Sequence, residues 1–171
     1  RATSTVIVFV DRITGYVYGF PVETGVPYQI SNTIMPGIHD AYIFDEGRRV
    51  LMRYIDQEKN TIVAVVANIP NVQDDQMPQP LTNIQYIPAP VISAALNAKK
   101  DTVAYVTNSG QGSSLYTLSS KGQTLVATSP FKDWIISYGG DNIYVTPKSS
   151  AYVGGSTFSV PSFQPVVTEK T

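Results

Sequence analysis

The feature that most constrains the fold of this chain is a repeated order of strands and turns. Continuous apolar strands are centred near Val6, Val50, Val103 and Ile143. The steps between them, roughly 44, 53 and 40 residues, bracket the ~40–45-residue period of a four-stranded propeller blade. The spacing within each repeat leaves no room for a helix, because each strand is followed by a short turn and another strand. The sequence therefore predicts an all-β repeat protein.

Other strands complete each repeat. First strands are expected six residues after a proline, around Tyr42, Ala94, Ile136 and Val167, and third and fourth strands follow the apolar second strand. Among these, a third strand is expected at 151–153 and a weaker fourth strand near Tyr86. The predicted blade units are 1–35, 36–87, 88–129 and 130–160 of a single propeller domain. The stretch 70–90 contains five prolines, and we interpret it as an inserted loop because proline cannot donate to a strand ladder.

The second and third strands are apolar on both faces, as in Val6–Val10 and Ile62–Val66. When one face of an antiparallel sheet is exposed to solvent, apolar and polar residues normally alternate along its strands. Strands that are covered on both faces are typical of stacked sheets, so the pattern favours a β-propeller of about four antiparallel four-stranded blades. A β-sandwich is the second alternative, but its outer faces are normally polar.

The predicted turn between first and second strands carries a resemblance to a known repeat. Residues 44–50, Phe44-Asp45-Glu46-Gly47-Arg48-Arg49-Val50, are similar to the Ser-Pro-Asp-Gly-x-x-Ile hairpin of the WD40-like repeats in TolB-type propellers. Weaker copies lie at 97–103 and 138–143. The Ser-Pro that precedes the Asp in the family is missing here. The wider resemblance is to exported bacterial propellers whose function is uncharacterised.

The first and last predicted strands are compatible with two arrangements of the blades. The chain begins at a second strand, and 164–168 resembles a first strand. This last strand either pairs with the first three and closes a four-bladed ring, or the chain is part of a larger propeller. We favour the larger propeller, because the step from Pro130 to Pro161 is too short for a blade. Open sheet edges in such a piece would favour self-association or pairing with further blades of the same protein.

Charge and composition exclude several partners. The net charge is −1 and there is no run of basic residues, so the chain lacks the electrostatic field that nucleic-acid binding uses. The longest apolar run, 61–69, is too short to cross a bilayer, and there is no cysteine. Charged residues make up only 15% of the chain, and the surface rich in Ser, Thr, Asn and Tyr favours an extracytoplasmic or cell-surface location.

Catalytic and metal-binding patterns are sparse. His39 is the single histidine and stands next to Asp40, a pair that could act as an oriented general base. We interpret it instead as a polar turn residue before a first strand, because adjacent residues on an extended segment point in opposite directions. Asp74 and Asp75 lack the spacing of a calcium loop. We therefore expect no catalytic residues, no metal and no cofactor.

The remaining polar residues predict a binding rim. Residues between second and third strands, together with those before first strands, are expected to share one face of a propeller, and loops on a rigid scaffold commonly bind ligands. The predicted rim consists of Asp11, Arg12, His39, Asp56, Lys59, Asp74, Asp75, Asn108, Gln111, Lys132 and Asp133. Trp134 could stack against a sugar, but at the start of an apolar strand we expect it in the core.

The sequence thus predicts a non-catalytic binding or scaffold module for a protein or other ligand. We expect that deleting 71–87 would abolish partner capture and leave the fold intact. One alternative is a self-assembling structural subunit that uses its open edges. Another is a fragment of a propeller hydrolase whose site is completed by missing blades.

Overall fold

The computed structural model describes residues 5–56, 58, 60–148 and 156–166, which form strands and turns without a helix. The chain divides into two compact units, 1–87 and 88–171. Each unit contains two sheets, and every pair of neighbouring strands in a sheet is antiparallel and consecutive in sequence. The predicted all-β architecture of tandem blade-like meanders is confirmed.

The first unit contains sheets 1 and 2. Within the described residues, sheet 1 has three strands in the order β1-β2-β3, namely β1 (Val6–Val10), β2 (Val17–Pro21) and β3 (Tyr28–Gln29). Sheet 2 has four strands in the order β4-β5-β6-β7, namely β4 (Ile38–Phe44), β5 (Arg49–Asp56), β6 (Thr61–Asn68) and β7 (Thr82–Ile87).

The second unit contains sheets 3 and 4, each with four strands in sequence order. Sheet 3 consists of β8 (Val91–Asn97), β9 (Thr102–Ser109), β10 (Gly112–Ser119) and β11 (Gly122–Ser129). Sheet 4 consists of β12 (Trp134–Gly139), β13 (Asn142–Pro147), β14 (Phe158–Val160) and β15 (Gln164–Pro165).

The second strand of each complete central meander is buried on both faces, as the sequence indicated. Val50, Leu51 and Met52 of β5 are fully buried, and so are their counterparts in β9. In the first unit the core gathers Val17, Ile30, Val65 and the side chains around them. In the second unit the core forms around Ala104, Val106, Leu115, Trp134 and Val145. β-Branched and small residues suit these doubly covered strands.

The end of the chain departs from the prediction. Residues 164–165 form β15, which pairs with β14 as the fourth strand of sheet 4, so this segment is not a first strand that pairs with β1. The predicted third strand at 151–153 and the centre at Val167 lie outside the described residues. The third strand of sheet 4 is instead β14.

The proline-rich stretch 70–90, predicted to be an inserted loop, is partly integrated into sheet 2 and the core. It contains β7, whose residues pair with β6, which confirms the fourth strand expected near Tyr86. Val72 and Leu81 are buried in the core of the first unit, and the amide of Leu81 donates to Thr33 Oγ1 at 2.8 Å. Removing 71–87 would therefore remove a strand and two core side chains, and the expectation that the fold survives this deletion is wrong.

Candidate binding sites

A β-bulge at the start of β4 places His39 beside Asp40. Ile38 pairs with Tyr54 and Asp40 pairs with Arg53, so His39 is an extra residue between two successive pairs. The backbone irregularity lets two adjacent side chains meet, and the His39 Nδ1 atom lies 3.1 Å from Asp40 Oδ2. Bulges commonly re-aim side chains in this way. Our expectation that the two side chains point apart, and lie before the strand, is wrong for this reason.

Asp40 is held from the other side by Arg53. Arg53 Nε donates to Asp40 Oδ1 at 2.7 Å, and the terminal Nη2 donates to Oδ2. The Arg53 side chain is buried, whereas Asp40 is partly exposed and half of the His39 side chain is exposed. The result is a fixed chain of contacts from a buried guanidinium through a carboxylate to an exposed imidazole.

The protonation states of this cluster follow from its contacts. Burial opposes ionisation of Asp40, but the hydrogen bonds and charge of Arg53, helped by His39, outweigh it and lower the pKa of the carboxyl. Tyr42 interacts with both partners, and burial followed by the Asp40 charge raises its pKa. The cluster therefore holds a carboxylate, a guanidinium and a neutral phenol at neutral pH.

The cluster is specific to sheet 2. Sheet 3 has the same bulge at the start of its first strand, because Val91 pairs with Thr107 and Ser93 pairs with Val106. Ser93 stands where sheet 2 has Asp40, and Val106 stands where it has Arg53. Ser93 Oγ accepts a hydrogen bond from the Ile136 amide at 3.1 Å. The repeat folds with an uncharged pair at this position, so the meander itself does not require the ion pair.

Four predicted rim residues lie at one end of the first unit. Asp11 and Arg12 follow β1, and Asp56 ends β5 at the edge where β4 begins with Ile38 and His39. Arg12 joins these segments, because its Nε donates to the Ile38 carbonyl at 3.2 Å and its own carbonyl accepts from the Ile38 amide at 3.2 Å. The structure therefore brings Arg12 next to the bulge.

Asp74 and Asp75 lie in the connection that leaves the opposite end of sheet 2. β6 ends at Asn68, which pairs with Arg49 next to the β4–β5 turn, whereas Asp56 and His39 belong to the other end. Connections from third to fourth strands and from second to third strands leave opposite ends of an antiparallel meander. Our assignment of Asp74 and Asp75 to the same face as His39 is wrong for this topological reason.

The other predicted rim residues belong to the second unit, apart from Lys59, which lies outside the described residues. Asn108 is the last residue but one of β9 and Gln111 occupies the turn before β10, while Lys132 and Asp133 precede β12. The amide of Asn108 donates to the Pro90 carbonyl at 3.0 Å, and the amide of Lys148 donates to the Asp133 carbonyl at 2.7 Å. Asn108, Gln111, Lys132 and Asp133 remain a predicted rim with no bound partner to test them.

An aromatic cleft that sequence analysis missed lies next to Lys132 and Asp133. This Trp134 cleft has a volume of about 370 Å³ and is lined by Thr128, Ser129, Pro130, Phe131, Trp134, Pro147, Ser156, Phe158 and Phe163. None of these nine described residues is charged. The rings come from two separate segments, 131–134 and 158–163, which come together because β12 pairs with β13 and β13 pairs with β14.

Trp134 forms the floor of the cleft. It is buried as predicted for a core residue, and its ring meets Phe131 and Phe158 edge-on, with centroids 5.9 and 6.3 Å away. Its Nε1 donates to the Phe131 carbonyl at 3.1 Å, and the same carbonyl accepts from Ser113 Oγ at 2.7 Å. Trp134 therefore offers an apolar surface rather than a free donor.

Phe131 forms the open side of the cleft, with 61% of its surface exposed. Together with the cleft this ring forms a contiguous apolar patch, and such patches commonly mark interaction sites. Lys132 follows Phe131, and Lys148 follows the lining residue Pro147. The Lys148–Asp133 backbone hydrogen bond brings these two segments together.

Comparisons with known proteins assign no function to the chain. Neither protein families nor curated proteins yield a match to the chain. A search of solved structures finds similarity to the β-propeller domain of Myceliophteria thermophila Cps50 (Swd1), at 15% identity and a TM-score of 0.45. The match covers 83% of this chain and 50% of that one, so the chain spans about half the length of the propeller domain it matches.

The fold is that of β-propeller blades, four antiparallel meanders in tandem. The placement among TolB-type bacterial propellers depends on the hairpin resemblance alone and stays a prediction. Within the described ranges, no group of three or more His, Asp or Glu side chains is arranged to hold a metal ion. In the same part of the chain, no helix is long and apolar enough to cross a membrane.

Proposed function

We propose that this chain is a non-catalytic binding module that recognises a protein partner at the Trp134 cleft. The observation that carries the proposal is the cleft itself, an uncharged aromatic concavity with one wall, Phe131, largely exposed. Its volume of about 370 Å³ falls within the usual range of ligand pockets. Aromatic anchors in such concavities contribute much of the affinity at protein interfaces.

The chemistry of the rim indicates which kind of segment would bind. The Trp134 donor and the Phe131 carbonyl are already hydrogen-bonded, so the occupant has to be mainly apolar. Lys132 and Lys148 flank the cleft in sequence, and neither forms an ion pair with a carboxylate among the residues described. A partner segment with an aromatic or proline side chain beside acidic residues would complement both features.

Fluorescence of Trp134 provides a direct test, because it is the only tryptophan in the chain. We expect a saturable change in its emission on titration with a short acidic peptide that carries one phenylalanine. Replacing Phe131 with alanine should weaken binding by about tenfold or more, since truncating an aromatic anchor costs about 2 kcal/mol. Leu125→Ala is the matched control, because Leu125 is also exposed in the second unit but does not line the cleft.

Two peptide controls separate the apolar and ionic contributions. Exchanging the acidic residues of the peptide for lysine should weaken binding, and exchanging its phenylalanine for alanine should abolish it. Equal affinity for all three peptides, or equal affinity of wild type and Phe131→Ala, would contradict the proposal.

A hydrolase whose site is completed by further blades is a second candidate, favoured by the contact between His39 and Asp40. A carboxylate that orients an imidazole is one part of a general-base arrangement. Assaying the parent protein, which would supply the further blades, against chromogenic esters and glycosides would test it. Turnover that disappears in His39→Ala would support this candidate, and no turnover in the wild type would count against it.

We also propose that the module works outside the cytoplasm at a cell surface, on the basis of its low charge content and a surface rich in Ser, Thr, Asn and Tyr. Protease treatment of intact cells that express the parent protein would digest the module if it is exposed. Full protection in intact cells, with digestion after lysis, would contradict this location.

A further inference from the structure

Sheet 1 has one strand fewer than the other sheets, counting the residues that the structure describes. β1 pairs with β2 on one side, and within those residues no strand pairs with its other side. β1 has five apolar residues and no charge. An apolar edge strand of this kind is a template on which another strand can pair.

An aromatic contact shared by sheets 1 and 3 identifies which strand of the four-stranded pattern sheet 1 lacks among the described residues. Phe9 of β1 stacks on its cross-strand partner Tyr18 of β2, with ring centroids 5.5 Å apart. In sheet 3, Tyr105 of β9 stacks on its partner Tyr116 of β10 at 5.4 Å. The shared contact makes β1 the counterpart of β9, the second strand of its meander. The open position is therefore that of a first strand, which β4, β8 and β12 fill in the other three sheets.

One face of β1 also exposes apolar side chains beside this edge. Aligned on Phe9 and Tyr105, Ile7 corresponds to Val103. Ile7 is 54% exposed and Phe9 is 40% exposed, whereas Val103 and Tyr105 are both 0% exposed. Because Ile7 and Phe9 stand on one face of β1, a strand added at its edge would remove part of their apolar surface from water through side chains on the same face.

The free hydrogen-bonding groups of this edge can be assigned from the neighbouring pairs. The Thr5 carbonyl accepts from Val22 at 2.9 Å and the Asp11 amide donates to Tyr16 at 2.9 Å, so both residues face β2. Backbone groups alternate in direction along an antiparallel strand. The amides and carbonyls of Val6, Val8 and Val10 therefore point to the open edge.

We propose that β1 binds an extended segment of a partner polypeptide, which adds to sheet 1 as an antiparallel first strand. The segment should carry apolar residues two positions apart, one opposite Phe9 and one opposite Ile7. The corresponding pairs in the complete sheets are Ala41 and Ile43 of β4, Ala94 and Leu96 of β8, and Ile136 and Tyr138 of β12. This site lies in the first unit and does not depend on the Trp134 cleft.

A synthetic peptide with the sequence of Val91–Asn97 is the probe, because this strand fills the same position in sheet 3. We expect one peptide to bind per chain and to slow the hydrogen exchange of the Val6, Val8 and Val10 amides, while the Ile7 and Phe9 amides are slow already. Val8→Pro removes one outward donor without removing a bond to β2. This variant should bind the peptide about tenfold more weakly, whereas Val8→Ala keeps the donor and should bind within about threefold of wild type.

The outcomes separate this proposal from its alternatives. No binding of the peptide, unchanged affinity in Val8→Pro with a native circular dichroism spectrum, or protection confined to other amides would overturn it. A concentration-dependent dimer of the chain alone that disappears in Val8→Pro would also overturn it, because a second copy would then be the occupant. Phe131→Ala should bind this peptide normally, so failure at the cleft and failure at the edge can be distinguished.

Discussion

Arg53 and Asp40 face each other across β4 and β5, and the guanidinium of one binds both carboxylate oxygens of the other. In sheet 3 the same two positions hold Val106 and Ser93. Uncharged residues commonly replace a buried ion pair with little loss of stability, because no charge then has to be removed from water. The ion pair thus serves to fix His39 and the surrounding surface rather than to hold the meander together.

Transplanting the sheet 3 pair into sheet 2 tests this interpretation. Asp40→Ser alone removes the main acceptor of a buried guanidinium and should lower the free energy of unfolding by about 3 kcal/mol. Adding Arg53→Val removes the buried charge, so the double variant should recover to within about 1 kcal/mol of wild type. Urea unfolding followed by circular dichroism measures both, since the sole tryptophan lies in the other unit. A double variant as unstable as the single one would contradict the interpretation.

The Arg53–Asp40 ion pair should also make the free energy of unfolding depend on pH in the acidic range. Because the pKa of Asp40 is lower in the folded chain than in the unfolded one, its contribution is complete above the unfolded value of about 3.9 and is lost as the pH falls through the lower folded value. Wild type should therefore lose more stability between about pH 4.5 and pH 2 than the Asp40→Ser/Arg53→Val variant. Parallel curves for the two proteins would show that Asp40 does not titrate as its contacts imply.

Much of the fold could be predicted because the relevant signals are local. Continuous apolar runs marked β5, β6 and β9, and Gly- or Asp-containing turns separated the strands. The assignment of 164–165 to a first strand was wrong, because a proline followed by two valines is compatible with a first strand and with a fourth strand. Only its pairing with β14 distinguishes the two.

The candidate sites were harder to predict, because they depend on how distant segments pair. The bulge at His39 follows from the register of β4 against β5, and no local composition specifies it. The rim was misassigned at Asp74 because the sequence does not show which end of the sheet a connection leaves. The Trp134 cleft combines Phe131, Phe158 and Phe163, whose proximity depends on sheet 4 being assembled.

The connection between β6 and β7 should behave as part of the core at some positions and as a surface loop at others. Leu81 is 5% exposed and packs in the core of the first unit, whereas Met77 is 87% exposed. Leu81→Ala should therefore lower the free energy of unfolding by about 3 kcal/mol, and Met77→Ala should change it by less than about 0.5 kcal/mol. Urea unfolding followed by circular dichroism compares them. Equal effects would mean that this connection is the dispensable insertion that its prolines suggested.

Tyr105 combines a stacked ring with a buried hydroxyl that has no hydrogen-bond partner among the residues described. Burial, with a smaller contribution from Tyr116, raises its pKa to about 12. Tyr105→Phe keeps the ring and removes the hydroxyl, so the free energy of unfolding at neutral pH should stay equal or rise by up to about 1 kcal/mol.

The effect of this substitution should depend on alkaline pH. A raised folded pKa means that the stabilising contribution of neutral Tyr105 is complete below the unfolded value of about 10 and is lost as the pH rises towards 12. Wild type should therefore lose more stability than Tyr105→Phe above about pH 10. Tyr116→Phe is the matched control, because it alters the other ring of the same stack, and it should retain most of the wild-type alkaline loss, since burial is the larger cause of the shift. A Tyr105→Phe variant that is strongly destabilised at neutral pH would show instead that the hydroxyl is hydrogen-bonded in the folded protein.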